Sequence, residues 1–265
     1  MAITTRDGWF AAAKQRALYY KTASRTTVAG GWFSLFDLAG NPGAGTLAIG
    51  NTANGVVPTD AVAGYPVIGA FGAGATGYLG RVAFAHSLVA RMKLYDRVFA
   101  SGAHAFNANQ ALTSIPSYAG RIPGANYSGL EIWVEQVTAA TGNLAVNVTY
   151  TNQAGVTSRT TGAVGIGAAP TVGRCWQLPL QAGDSGVQAI TNVQGSVASA
   201  GTFNVMVLRP LWSGFTPSAS YQDVHDLMKT GMRQIYEDSA LYLLTLSASG
   251  TTSGIADMEL DVVNG

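Results

Sequence analysis

The sequence predicts a mainly β protein, an antiparallel β-sandwich of jelly-roll type, preceded by an N-terminal helix and an extended arm. Three observations lead there. Residues 130–138, "LEIWVEQVT", alternate Leu130, Ile132 and Val134 with Glu131, Trp133 and Glu135, the period-2 signature of a strand with two different faces. Similar segments recur at intervals of roughly 10–14 residues, separated by glycine-containing turns, as a sandwich requires. Glycine is abundant at 33 copies, while Asp, Glu, Lys and Arg make up 11% of residues, against about 25% in an ordinary soluble domain.

The elements follow in order. Residues 8–23, "GWFAAAKQRALYYKTA", read as a short amphipathic helix, with Trp9, Phe10, Ala13, Ala17 and Tyr20 near one face. An aromatic cluster fenced by glycines, "GGWFSLFDLAG", comes next. Residues 39–77 are dominated by Gly, Ala, Asn, Pro and Thr, which suits an arm ordered by lying on a neighbour. The division is therefore 1–77 for helix and arm and 78–265 for the sandwich body. In the body, "LAVNVTYT" and "VTSRTT" read as a hairpin around "NQAG". "CWQLPLQAG", "GVQAITNVQGSVAS" and "GTFNVMVLRPLW" supply further strands, the last a central one. Residues 220–237 break the pattern and predict a helix or a helix and turn, with Ser220 as N-cap, Asp223 at its third position and Leu227 and Met228 buried. "ALYLLTLSA" and "IADMELDVV" close the fold as strands.

Composition narrows function. A net charge of +1 gives no basic field for nucleic acid. No stretch of about 18 apolar residues suggests a membrane span, and the N-terminus lacks the apolar block of a secretory signal. Cys175 is the single cysteine, so packing or assembly rather than disulfides must hold the chain together. So poorly charged a surface is expected to be covered by copies of itself or by partners.

Candidate chemistry is sparse. "VIGAFGAGATGYLG" contains Gly72-x-Gly74-x-x-Gly77, with Asp96 where a dinucleotide fold places its ribose acid. It lacks the repeated strand–helix–strand context, and a chance match is the simpler account; the glycines then mark the boundary between arm and body. His86, His104 and His225 are too far apart in sequence for a metal-ligand spacing. Cys175 reads as a buried inert thiol, and Glu131 and Glu135 as the polar face of a strand. No catalytic residue, cofactor or metal is expected. The expected contact residues are aromatic: Trp9, Phe10, Trp32, Phe33 and Phe36 as anchors of the arm, and Trp133, Arg159 and Trp212 on the body.

The block from "YSGLEIWVEQVT" through "CWQLPLQAGDSGVQAI" and on to "GTFNVMVLRPLW", with "LYDRVFASGAHAFNANQALTSIPSYAGRIPG" before it, resembles virion structural proteins of tailed bacteriophages and prophages. The resemblance spans about residues 78–265 and is one of segment style and order. It implies a non-enzymatic component of the virion, assembled in the bacterial cytoplasm as a homo-oligomer. The partners would be its own copies and the major capsid protein or other virion proteins, with neither nucleic acid nor membrane among them. A capsid decoration (cement) protein is the first expectation. The alternatives are a tail- or neck-associated protein with a glycan- or receptor-binding sandwich and, more remotely, a nucleotide-dependent enzyme using the glycine loop. On this reading removal of residues 1–77 would leave a folded body.

Overall fold

A computed structural model of the chain describes residues 3, 5–166, 171–195 and 199–265. The first part of the chain forms α1 (Arg6–Ala11), β1 (Ala13–Lys21), β2 (Trp32–Ser34), β3 (Gly40–Asn41) and β4 (Asn51–Val56). Then come β5 (Gly77–His86), β6 (Ala90–Ala105), β7 (Asn109–Ala111), β8 (Glu131–Thr138), β9 (Leu144–Asn152), β10 (Arg159–Thr160) and β11 (Val164–Ile166). The remainder is β12 (Arg174–Leu178), β13 (Val187–Gly195), β14 (Thr202–Thr216), β15 (Gln222–His225), α2 (Leu227–Thr230), β16 (Gln234–Ile235), β17 (Leu241–Ser247) and β18 (Ala256–Asn264).

The mainly β, antiparallel sandwich predicted from the sequence is the architecture found, arranged around a closed ring of strands. The order β14-β8-β12-β2-β17-β6 returns on itself because β14 also pairs β6, and β4 adds to the outside of β6. One sheet, β15-β5-β18-β1-β3 with β16 on β5, flanks this barrel; a second, β10-β9-β13-β7 with β11 on β9, packs elsewhere on it. Closure removes the free edges of the ring, the exposed backbone that would otherwise template aggregation.

Alternation explains the layering. Along β14, Phe203, Val205 and Val207 join Leu144, Val146, Val148, Tyr150, Ile190 and Val193 of the second sheet in one core. Met206 and Leu208 turn the other way, with Tyr95, Trp133, Cys175 and Tyr242, into a smaller core. Further along, Leu211 and Trp212 meet Tyr19, Phe84, Met258 and Leu260 of the first sheet. The ladder β6–β14 thus runs past both flanking sheets, its register shifted at three places.

Several expectations are corrected. The helix expected over 8–23 stops at Ala11, and residues 13–21 are a strand paired with β18 along Ala13–Tyr20. Ala17, Tyr19 and Lys21 are buried while Arg16, Leu18 and Tyr20 are exposed, so the period is two, and ladder pairing overrides the helix propensity of an Ala-rich stretch. The expected helix over 220–237 is a four-residue turn of helix: Asp226, not Ser220, caps it by accepting from the Met228 and Lys229 amides, and Gly231 ends it at φ 63°. Asp223 lies in β15 instead, and Met228, expected in the core, is 80% exposed.

Residues 39–77, expected as an arm over neighbours, lie on their own body: Leu47, Tyr65, Ile68 and Phe71 are buried in its cores. Glycines permit this close approach, since a Cβ on Gly45 or Gly64 would sit 2.4 Å from the Phe36 ring. Because β1 lies between β18 and β3, and β2 links β12 to β17 in the barrel, residues 1–77 are integral to the fold rather than removable. The glycine loop does make a turn, with Gly72 and Gly74 at positive φ, but it leads into strand β5 instead of a helix.

Candidate assembly surface

Most ionisable side chains that alternation turns inward are consumed by the fold. Asp96, the residue placed at the ribose position of the glycine-loop reading, is fully buried between Arg121 and Arg209 and also accepts from Ser239 Oγ and the Ala240 amide. Burial raises its carboxyl, and the two guanidiniums outweigh that and hold it below the ordinary carboxylate value. In the barrel interior Glu135 accepts from Ser34 Oγ at 2.6 Å, from the Tyr242 hydroxyl and from Asn204 Nδ2 at 3.1 Å, with Arg97 Nη2 at 3.8 Å. Cys175 is buried beside this network and burial pushes its thiol up, away from nucleophilic ionisation.

The histidines are likewise structural. His104 is buried against Ser101 Oγ at 2.9 Å, and desolvation lowers it to about 4; His86, near Thr245 and Leu88, is lowered by burial as well. His225 Nδ1 accepts from the Trp212 indole at 2.9 Å. Among the described residues no group of three His, Cys, Asp or Glu side chains could hold a metal, and no helix is long and apolar enough to cross a membrane.

The expected contact residues divide. Phe33, Phe36 and Trp133 are buried in the chain's own interior, Phe36 against Tyr65 and Tyr242 and Trp133 against Tyr95 and Trp32. Trp212 is 7% exposed and packs edge-on against Phe84. Trp32 is half-buried under Lys93 Nζ. These five, expected at an interface, pack within the chain itself, Trp32 only in part. Trp9 is half-buried over Gly80, where a Cβ would lie 2.0 Å from its ring. Phe10 projects outward at 68% exposure. Arg159 is bound to Asp184, whose carboxyl this hydrogen bond lowers to about 2 against the opposing effect of burial, with Tyr150 and Asn152 assisting.

What the sequence reading missed is the outer face of the first sheet. Register aligns Leu18, Glu259, Ala83 and Val224 in one row and Tyr20, Asp257, Ala85 and Gln222 in the next. A third row sets Arg16, Asp261 and Arg81 side by side, and Arg81 Nη1 reaches Glu259 at 2.8 Å and Asp261 at 3.0 Å. Leu18, Tyr20 and Val224 are all more than 40% exposed around this ion-pair cluster. Along the β1 side, Leu18, Val62 and Val67 line a groove of about 440 Å³ with Arg16 and Asp60. The available signal was the strand alternation of "ALYYK", hidden by the helical reading of the same residues.

No protein-family model matches the chain, and no curated protein matches it. Solved structures similar to it include a mutant VP2 protein of infectious bursal disease virus in T=1 particles, at 10% identity over 95% of this chain and 76% of that one, with a TM-score of 0.18. The VP2 subviral particle of the same virus aligns at 9% identity over 95% and 80% of the two chains, also with a TM-score of 0.18. Superpositions this loose carry no argument about the role of this chain.

Proposed function

We propose that the chain is a non-enzymatic virion structural protein, a capsid decoration protein of a tailed phage that stabilises the head through contacts with its own copies and the major capsid protein. The observation that carries the reading is the outer face of the first sheet, where Leu18, Tyr20 and Val224 stand exposed in a chain with 11% charged residues. Apolar side chains spread over a broad sheet face suit burial against another subunit. The buried Asp96 and Glu135 networks are committed to structure, and the resemblance of residues 78–265 to phage virion proteins gives the partner class. Each contact contributes modestly, about 25 cal/mol per Å² of apolar surface covered, and repetition on a symmetric shell multiplies it.

The experiment is co-assembly. Purified protein is added to particles lacking it, and bound copies are counted after sedimentation. Leu18→Glu with Tyr20→Glu is expected to abolish incorporation while circular dichroism and Tm stay near wild type, because both side chains face solvent. Incorporation at wild-type level by the double variant would overturn the reading.

A further inference from the structure

The chain's cations are unevenly partnered. Arg16 and Arg81 pair with Glu259 and Asp261, Arg25 with Asp37, Arg97 with Glu135, Arg121 and Arg209 with Asp96, and Arg159 with Asp184. Lys93, Lys229 and Arg233, like Lys14, Lys21, Arg91 and Arg174 elsewhere, have no carboxylate at ion-pair distance among the described residues, and these three line one cleft of about 670 Å³. That volume lies in the range of small-molecule sites, about 300–1,000 Å³. Glu131 is the cleft's one carboxylate, and Pro210, Leu211 and Trp212 supply apolar wall.

Two of these groups are held in place by the barrel. Lys93 Nζ sits 5.1 Å from the ring centroid of Trp32, 5.4 Å from that of Trp133 and 5.9 Å from that of Tyr95. This aromatic cradle fixes an ammonium without using up its hydrogen bonds. Glu131 Oε2 accepts from the Trp133 indole at 2.7 Å and the Tyr95 hydroxyl at 2.9 Å. Both anchoring bonds fall on one oxygen, which leaves Oε1 to accept from a ligand. The cleft borders a second cavity of about 410 Å³ through shared Pro210, Gly231 and Arg233, and there Asn126, Ser128 and Gln234 add neutral hydrogen-bonding groups.

We infer that this cleft binds an acidic saccharide, a short chain of sugars bearing carboxylates. The three cations meet the carboxylates, the fixed Glu131 takes a sugar hydroxyl, and the adjoining cavity receives the next residue of the chain. A bare inorganic anion accounts less well for Glu131, whose negative charge opposes such a ligand, and for the polar second cavity. The assignment is independent of the role in the virion, since the cleft and the outer face of the first sheet are formed by different residues.

The test is calorimetric titration of the full chain with trigalacturonate, its neutral galactose counterpart, sulfate and inorganic phosphate. Saturable binding of trigalacturonate is expected, at least tenfold tighter than the neutral trimer and weakening as salt rises from about 50 to about 500 mM. Lys229→Glu with Arg233→Glu, both solvent-exposed positions, is expected to weaken it more than tenfold with Tm unchanged. Glu131→Gln separates the two ligand chemistries: it is expected to weaken trigalacturonate severalfold and leave sulfate equal or tighter. The inference is overturned if trigalacturonate does not bind at millimolar concentration, if sulfate or phosphate binds as tightly, or if Glu131→Gln strengthens all anions alike. Failure of the wild-type chain to join particles, with sugar binding intact, would sink the structural role and spare the cleft; incorporation of the wild-type chain without trigalacturonate binding would do the opposite.

Discussion

The barrel and its flanks solve the problem of burial in different ways. The core between barrel and second sheet is built of apolar side chains such as Ile132, Val148, Ile190 and Phe203, with Tyr150 meeting the Asp184–Arg159 pair at its margin. The barrel strands carry Asp96, Arg97 and Glu135, and Arg121, from the turn Ala119–Arg121 between β7 and β8, reaches in to Asp96; each of the four is 4% exposed or less. Apolar packing is tolerant of exchange, whereas a buried charge is stable only with its partners in place. The contrast suggests that the flanks supply most of the driving force and that the charged network fixes how the ring closes.

The largest expected effect tests that contrast directly. Asp96→Ala leaves Arg121 and Arg209 buried without their shared carboxylate and is expected to cost about 3–5 kcal/mol in urea unfolding. A cost below about 1 kcal/mol would mean that the network is not part of what holds the barrel.

Next comes pH. His104 has its folded value lowered to about 4 by burial, and His86 moves in the same direction. The unfolded chain therefore binds protons first, so the stability these groups confer is complete above about pH 6.5 and is lost as pH falls toward 4. For His104 alone the loss is on the order of 3 kcal/mol at pH 4. His104→Gln is expected to flatten the Tm profile between pH 6.5 and 4, and an unchanged slope would refute the assignment.

A smaller change probes the flank. Ile190→Val removes one methylene from a fully buried position and is expected to cost about 0.5–1.5 kcal/mol. The same measurement on Arg16→Ala, whose side chain is 60% exposed beside Glu259 and Asp261, is expected to show under about 1 kcal/mol. If Arg16→Ala costs as much as Asp96→Ala, the distinction between interior and surface charge fails.

Much of the body was legible in the sequence because its strands alternate. Residues 130–138, 144–152, 202–212 and 256–264 have a period that few other folds explain, and β14 is central as expected, paired with both β6 and β8. Residues 8–23 were misread because Ala, Leu, Lys and Arg favour helix locally, and the ladder that overrides them comes from residues 256–264, far along the chain. The arm was misread for a related reason. Low hydrophobicity from 39 to 77 conceals a few buried anchors, Leu47, Tyr65, Ile68 and Phe71, which reach cores made by other segments. Of the expected contact residues, aromatic type was a guide to large burial but not to which chain provides the partner surface. The cleft escaped notice because Lys93, Glu131, Lys229 and Arg233 are scattered along the sequence and meet through β-pairing.

The position of β18 has a consequence for how the protein is made. It lies between β5 and β1, so neither neighbour is paired on both sides until residues 256–264 have been made. Until then β1 and β5 each have an unsatisfied backbone edge, and a prematurely terminated chain keeps it. A product truncated before β18 would thus be recognisable by its sticky first sheet and prone to removal by proteases. Synthesis of β18 thereby becomes the step that closes the first sheet, enforced by sheet order alone.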